Sequence, residues 1–169
     1  RVGYAGGTTA DPTYYSLGDH TEVVQVEYDP HVLDYEDLLD VFWANHSPVS
    51  APHKRQYRGV VLVHDEAQRE AAEASKAALA DRTGQSVETA VETLSAFTLA
   101  EDYHQKYELR STPVLGDELE DIYGPAVVDS TVAARLNGFV AGHGTDEQRA
   151  AFQADVELSP AASSELERR

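Results

Sequence analysis

Apolar positions recur along this chain with two periods, and the changes between them divide it into elements. Residues 21–28 alternate, so that Val24, Val26 and Tyr28 share one face with Glu22, the period-two signature of a strand, and Asp29-Pro30 closes it. Asp34 is a good N-cap for a helix over 35–46, where Leu38, Leu39, Phe42 and Trp43 form a stripe at helical spacing. Residues 47–54, with Pro48 and Pro52, read as loop. A second strand is predicted over 57–64; its unbroken run Val60-Val61-Leu62-Val63 suits a strand covered on both faces. Residues 65–80 are rich in alanine and glutamate and predict a long helix, with Gly84 in the turn beyond it. A strand is expected over 87–97 and a short helix over 100–109. Weaker helical patterns follow Pro113, at 117–123, 130–136 and 145–156, and 159–169 reads as a polar, mostly disordered tail. The first residues, Arg1 to Gly7, read as the end of a strand entering a glycine turn.

Strands alternating with helices predict an α/β class, and 169 residues suffice for one real core: a domain near this size buries roughly 70% of its unfolded-chain surface. Hydrophobic residues make up 41% without any long apolar run, so no membrane-spanning helix is expected. The chain contains neither cysteine nor methionine. It therefore has no disulfide framework, thiolate metal site or redox pair of its own, and a cytoplasmic setting is expected.

Charge narrows the partners. Thirty acidic residues against thirteen basic ones give a net charge of −17, which repels phosphate backbones and anionic lipid, so neither nucleic acid nor membrane is an expected partner. The acids are dispersed, and lysine occurs only at Lys54, Lys76 and Lys106. Both features suit a halophilic protein, whose self-repulsion is screened by salt; an ordinary acidic protein is the alternative.

Glu22 is the first candidate for chemistry. If its strand face is largely apolar, desolvation favours the neutral acid and keeps a proton available near neutrality. If Glu22 merely ends the strand in water, it is ionised and idle. Tyr4, just ahead of Ala5-Gly6-Gly7, and Tyr57, after Arg55-Gln56, offer phenol hydroxyls that with a carboxylic acid would make a compact donor set for a polar oxygen. Taken singly, each tyrosine reads first as a core or rim aromatic. Tyr103 and Tyr107 would fall on one face of a helix, lining a pocket or packing on the sheet. His20, His31, His46, His53, His64, His104 and His143 contain no metal-binding spacing. No nucleophile elbow, phosphate loop or dinucleotide fingerprint occurs, and no cofactor is implied.

Taken together, several motifs in order resemble the peptide methionine sulfoxide reductase A family: Val2-Gly3-Tyr4-Ala5-Gly6-Gly7-Thr8-Thr9 with Asp11-Pro12-Thr13-Tyr14, Gly18-Asp19-His20-Thr21-Glu22-Val23-Val24, Tyr28-Asp29-Pro30, Val41-Phe42-Trp43-Ala44-Asn45-His46, Arg55-Gln56-Tyr57-Arg58, and the stretch 100–107. Asp129-Ser130-Thr131-Val132-Ala133-Ala134-Arg135-Leu136-Asn137-Gly138 resembles a C-terminal extension of one branch, so the likeness covers roughly residues 1–143. It implies a two-layer α/β (α+β) sandwich around a mixed sheet. The expected organisation is a reductase-like domain over 1–112, a helical extension over 113–158 and the tail 159–169.

The resemblance implies thiol-driven reduction of the S epimer of methionine sulfoxide, free or in proteins, as a repair of oxidative damage. In the family a cysteine of a Gly-Cys-Phe-Trp motif, at a helix N-terminus that favours the thiolate, attacks the sulfoxide sulfur and becomes a sulfenic acid, which thioredoxin or another thiol clears. By resemblance Glu22 supplies the proton, and the hydroxyls of Tyr4 and Tyr57 hold the sulfoxide oxygen. The expected partners are methionine sulfoxide and the thiol reductant, with the protein a monomer.

Two departures matter. The Gly-Cys-Phe-Trp segment, with a first strand and helix, is expected ahead of Arg1, with cysteine or selenocysteine in it, and Trp43 does not replace it because it belongs to the helix motif. The loop before Tyr57 is short and lacks an aspartate that many members carry there. The chain as it stands is therefore expected to be inactive and poorly stable at low salt; the alternatives to a reductase are a sulfoxide-binding relative that performs no reduction and a structural relative.

Overall fold

A computed structural model describes residues 1–50 and 54–168. His53 and part of the expected 47–54 loop lie outside the described residues. The chain divides into two compact units, Val2–Ala100 and Glu101–Arg169, with Arg1 belonging to the second. Among the described residues no helix is long and apolar enough to cross a membrane.

The first unit holds five short strands. β1 (Val2–Ala5) is the centre of an antiparallel sheet, flanked by β2 (Thr21–Val24) and β5 (Phe97–Leu99). Its register places Tyr4 opposite Glu22 and Gly3 opposite both Val23 and Leu99. β3 (Val60–Val63) and β4 (Ala90–Thr93) form a parallel pair joined through helix α2 (Glu66–Thr83), since parallel strands need a crossover of a dozen residues or more. Antiparallel and parallel pairing thus both occur, in two small sheets.

Helix α1 (Tyr35–Ala44) starts at Asp34, whose backbone N–H is held by the Asp37 carboxylate at 3.0 Å. Helix α2 starts at Asp65, which accepts from the Gln68 N–H at 2.8 Å, and ends at Gly84, whose φ of 66° provides the left-handed cap. Leu39 and Trp43 of α1, Ala72 and Leu79 of α2, Val63 and Val87 form one core. Trp43 buries its ring there and still satisfies its indole N–H on the Ser75 hydroxyl at 3.0 Å. His46 stacks on Phe42 and Trp43 and reaches Thr89 just ahead of β4, tying α1 to the parallel pair.

The second unit is helical: α3 (Tyr107–Arg110), α4 (Pro113–Tyr123), α5 (Thr131–Val140), α6 (Asp146–Asp155) and α7 (Pro160–Glu167). Its core gathers Leu109, Leu115, Leu119, Leu136, Phe139, Phe152 and Leu166.

Several expected boundaries are corrected. The strand over 21–28 stops at Val24. The strand over 57–64 starts only at Val60, because 55–57 is a 3₁₀ turn. The strand over 87–97 becomes β4 and β5, which lie in different sheets. The helix over 100–109 is broken by Lys106 at a φ of 52°, so Tyr103 and Tyr107 do not share one helix face. The compact units divide after Ala100, and Leu109, on the reductase-like side of the boundary expected after residue 112, packs with the leucines of α4 and α5. The expected tail is α7: Ser159 caps it by accepting from the Ala162 N–H, and Ala162 and Leu166, four residues apart, are both fully buried.

Two stability outcomes follow from this packing. A Cβ at Gly3 would lie 2.4 Å from both the Phe97 ring and the Thr98 carbonyl, so Gly3→Ala should cost about 2–3 kcal/mol by overpacking, read from urea unfolding. Leu166→Ala should cost about 2–4 kcal/mol by leaving a cavity; no measurable change would mean that α7 does not dock.

Candidate active site

The site is built around β1 and β2. After Tyr4 and Ala5 the chain turns at Gly6, with φ of 74°, and Gly7 passes so close to the start of β2 that a Cβ there would lie 2.7 Å from both Asp19 Oδ1 and the His20 nitrogen. This approach lets Asp19 gather the loop. Its Oδ1 accepts from the Thr8 N–H at 2.8 Å, the Thr9 N–H at 3.0 Å and the Thr9 hydroxyl at 2.8 Å, while the Thr8 hydroxyl donates to Oδ2 at 3.0 Å. These donors, first the Thr8 amide and then the Thr9 hydroxyl and amide, hold the Asp19 carboxyl far below the usual aspartate range. His20 is buried, with Nε2 2.9 Å from the Thr9 carbonyl.

A segment from further along the chain locks onto this frame. Arg55 donates from Nε to the Asp19 carbonyl at 2.7 Å and from Nη2 to the Gly6 carbonyl at 2.9 Å. The buried Thr21 hydroxyl donates to the Arg55 carbonyl at 3.2 Å and accepts from Arg58 Nε at 2.9 Å. Arg58 then forks onto Glu92 of β4, with Nη2 to Oε2 at 2.7 Å. The fork lowers the Glu92 pKa and raises that of Arg58.

Between these arginines the 3₁₀ turn Arg55–Tyr57 presents Gln56 and Tyr57. Gln56 Nε2 donates to Glu22 Oε1 at 2.6 Å. Tyr4, directly opposite Glu22 in the register, is buried at 2% exposure beside Leu17 and Ala100, whereas Tyr57 is 58% exposed. The structure thus brings Tyr4 and Glu22 together as a cross-strand pair, with Tyr57 one residue beyond the side chain that touches Glu22.

Of the two readings of Glu22, the structure shows the strand position in water and not the apolar face. β2 is an edge strand, and on the Glu22 face Val24 is 68% and Val26 54% exposed; Glu22 itself is exposed. Alternating valines need not mark a packed face: Tyr4 is buried on the neighbouring strand, while Val24 and Val26 at the edge remain open.

The family model described as peptide methionine sulfoxide reductase matches residues 1–118. This chain belongs to the peptide methionine sulfoxide reductase A family. A peptide methionine sulfoxide reductase of Drosophila melanogaster is 42% identical over 158 residues, covering 92% of this chain and 63% of that protein. MsrA of Natronomonas pharaonis is 46% identical over 117 residues, covering 62% of this chain and 65% of that protein. The chain spans about three fifths of the length of the curated relatives that it matches. The crystal structure of reduced Mxr1 from Saccharomyces cerevisiae is similar with a TM-score of 0.61 at 29% identity, covering 66% of this chain and 70% of that one.

The sequence singled out Glu22, Tyr4 and Tyr57 as candidates; Asp19, Thr21, Arg55, Gln56 and Arg58 stood in the quoted motifs without a role, and Glu92 did not stand out, so the frame that these six residues form was not foreseen. A signal was present, since two arginines within four residues stand out in so acidic a chain, but their partners lie 34 to 49 residues away in sequence.

The frame has a pH signature. Because the folded-state pKa of Asp19 is depressed, its contribution is fully present above the ordinary aspartate value of 3.8 and is lost as pH falls through the lower folded value. The Thr8 and Thr9 amides should remain slow to exchange below pH 3.8 and lose protection in Asp19→Ala at every pH, as followed by hydrogen exchange.

Proposed function

We propose that this chain forms the sulfoxide-binding and proton-donating body of a peptide-methionine (S)-S-oxide reductase. The observation that carries this reading is the register that sets Tyr4 opposite Glu22, with the Gln56–Tyr57 turn held against the same carboxyl. Family membership supplies the reaction class. In this reading a cysteine thiolate attacks the sulfoxide sulfur, the S–O bond breaks, and the oxygen leaves as the hydroxyl of a sulfenic acid while methionine departs; two equivalents of thiol then regenerate the thiolate and release water. As charge develops on the sulfoxide oxygen, Glu22, which is exposed in the present chain and would be desolvated only when substrate and the cysteine-bearing segment cover it, donates its proton, and the Tyr4 and Tyr57 hydroxyls stabilise the oxygen.

The nucleophile is not among these 169 residues. The family motif Gly-Cys-Phe-Trp would provide it, and thioredoxin or a similar thiol would be the reductant of a single-cysteine cycle. Methionine sulfoxide, free or in proteins, is the substrate of this reading, in oxidative-damage repair by a cytoplasmic monomer. The net charge of −17 and the preference for arginine support a salty working medium.

The decisive experiment uses a protein that carries the Gly-Cys-Phe-Trp segment ahead of Arg1, assayed with methionine S-sulfoxide and dithiothreitol. It should turn over, and Glu22→Gln should lower kcat by about a hundredfold or more, the range of a lost general acid. An unchanged kcat would remove Glu22 from the chemistry. No turnover with sulfoxide binding intact would leave a protein that binds sulfoxide without reducing it.

A further inference from the structure

The residue that touches the Glu22 carboxyl is Gln56, a neutral amide in a turn that also carries Arg55 and is followed by Arg58. Arg55 directs Nε and Nη2 to the carbonyls of Asp19 and Gly6, and Arg58 directs its fork to Glu92 and its Nε to Thr21. Both guanidinium groups are thus committed elsewhere, and Gln56, fixed between them, donates from Nε2 to Glu22 Oε1 at 2.6 Å. The physical difference is large. A guanidinium fork would engage both carboxyl oxygens and hold the group ionised. An amide N–H engages one oxygen without adding charge.

The consequence for a carboxylic acid is directional. An N–H donor cannot accept, so the oxygen it binds serves as acceptor and the acid proton resides on the other. Without that donor the two oxygens are equivalent, and the carboxyl rotates between them. We propose that Gln56 is a positioning residue: its amide reserves Oε1 of Glu22 and assigns the acid proton to Oε2, the oxygen that donates to the sulfoxide. This rests on the reading of Glu22 as the proton donor. The bracing of the turn fits the role, because one donor fixes one oxygen only if its own backbone is fixed. Arg55, Thr21 and Arg58 anchor that backbone to Gly6, Asp19 and Glu92.

The test compares binding of L-methionine S-sulfoxide with binding of L-methionine, which lacks the oxygen, to the 169-residue chain by NMR titration. Gln56→Leu should reduce the sulfoxide-over-thioether preference by about three- to tenfold, the range of one hydrogen bond. Gln56→Glu, nearly isosteric, should reduce it as much, because its carboxylate accepts the proton that should face the ligand. In a Glu22→Ala background Gln56→Leu should change the preference no further. Equal weakening of both ligands, or a further loss without Glu22, would reduce Gln56 to a packing role and overturn the inference. If Glu22→Ala alone left the preference intact, the donor reading itself would fall and Gln56 with it.

Discussion

One guanidinium group joins the two sheets of the unit Val2–Ala100. The side chain of Arg58 is 13% exposed, and it serves both sheets at once, with Nε on Thr21 of β2 and the fork on Glu92 of β4. Among the described residues those sheets share no backbone ladder, so this planar group fixes an angle between them as well as a distance. Its donors are hard to forgo: a buried N–H without an acceptor costs about 1–3 kcal/mol. Thr21 and Glu92 must therefore sit where they do, and with Thr21 fixed the next residue, Glu22, is fixed as well.

From that junction the placement of the candidate site follows in steps. Thr21 accepts from Arg58 and donates to the carbonyl of Arg55, which makes one threonine the hinge pin of the Arg55–Tyr57 turn. Arg55 extends the clamp to Gly6 and Asp19, and Asp19 closes the Thr8-Thr9 loop. The charges of the frame are thereby neutralised or engaged within the frame. What stands at its surface is the Glu22 carboxyl, the Gln56 amide and the Tyr57 phenol, the groups that the proposed function brings to the sulfoxide oxygen. The chain's net charge of −17 disfavours anionic ligands in general.

The helical unit satisfies its helix ends by similar means. Glu165 of α7 accepts from the Leu115 N–H at the start of α4, and Glu118 of α4 engages Ser159, the N-cap of α7. Carboxylates here cap helix N-termini, where the dipole favours negative charge, so part of the acidic composition has structural work beyond solvation.

The sequence by itself determined the elements whose causes are local. The cap Asp34, the alanine-rich run of α2 and the turn at Gly84 were legible because capping and helix propensity act within four residues, whereas Asp65, read as the first residue of the helix, is its cap. The family was legible because its motifs are short and ordered. The tertiary structure decided where strands end: β2 stops at Val24 and the segment 87–97 splits between two sheets, because a strand exists only while a partner runs beside it. It also decided that Glu22 stands exposed with Gln56 on its carboxyl, and that Leu109 belongs to the helical core. Alternation reveals which residues share a face; only the packing of distant residues decides whether anything covers that face.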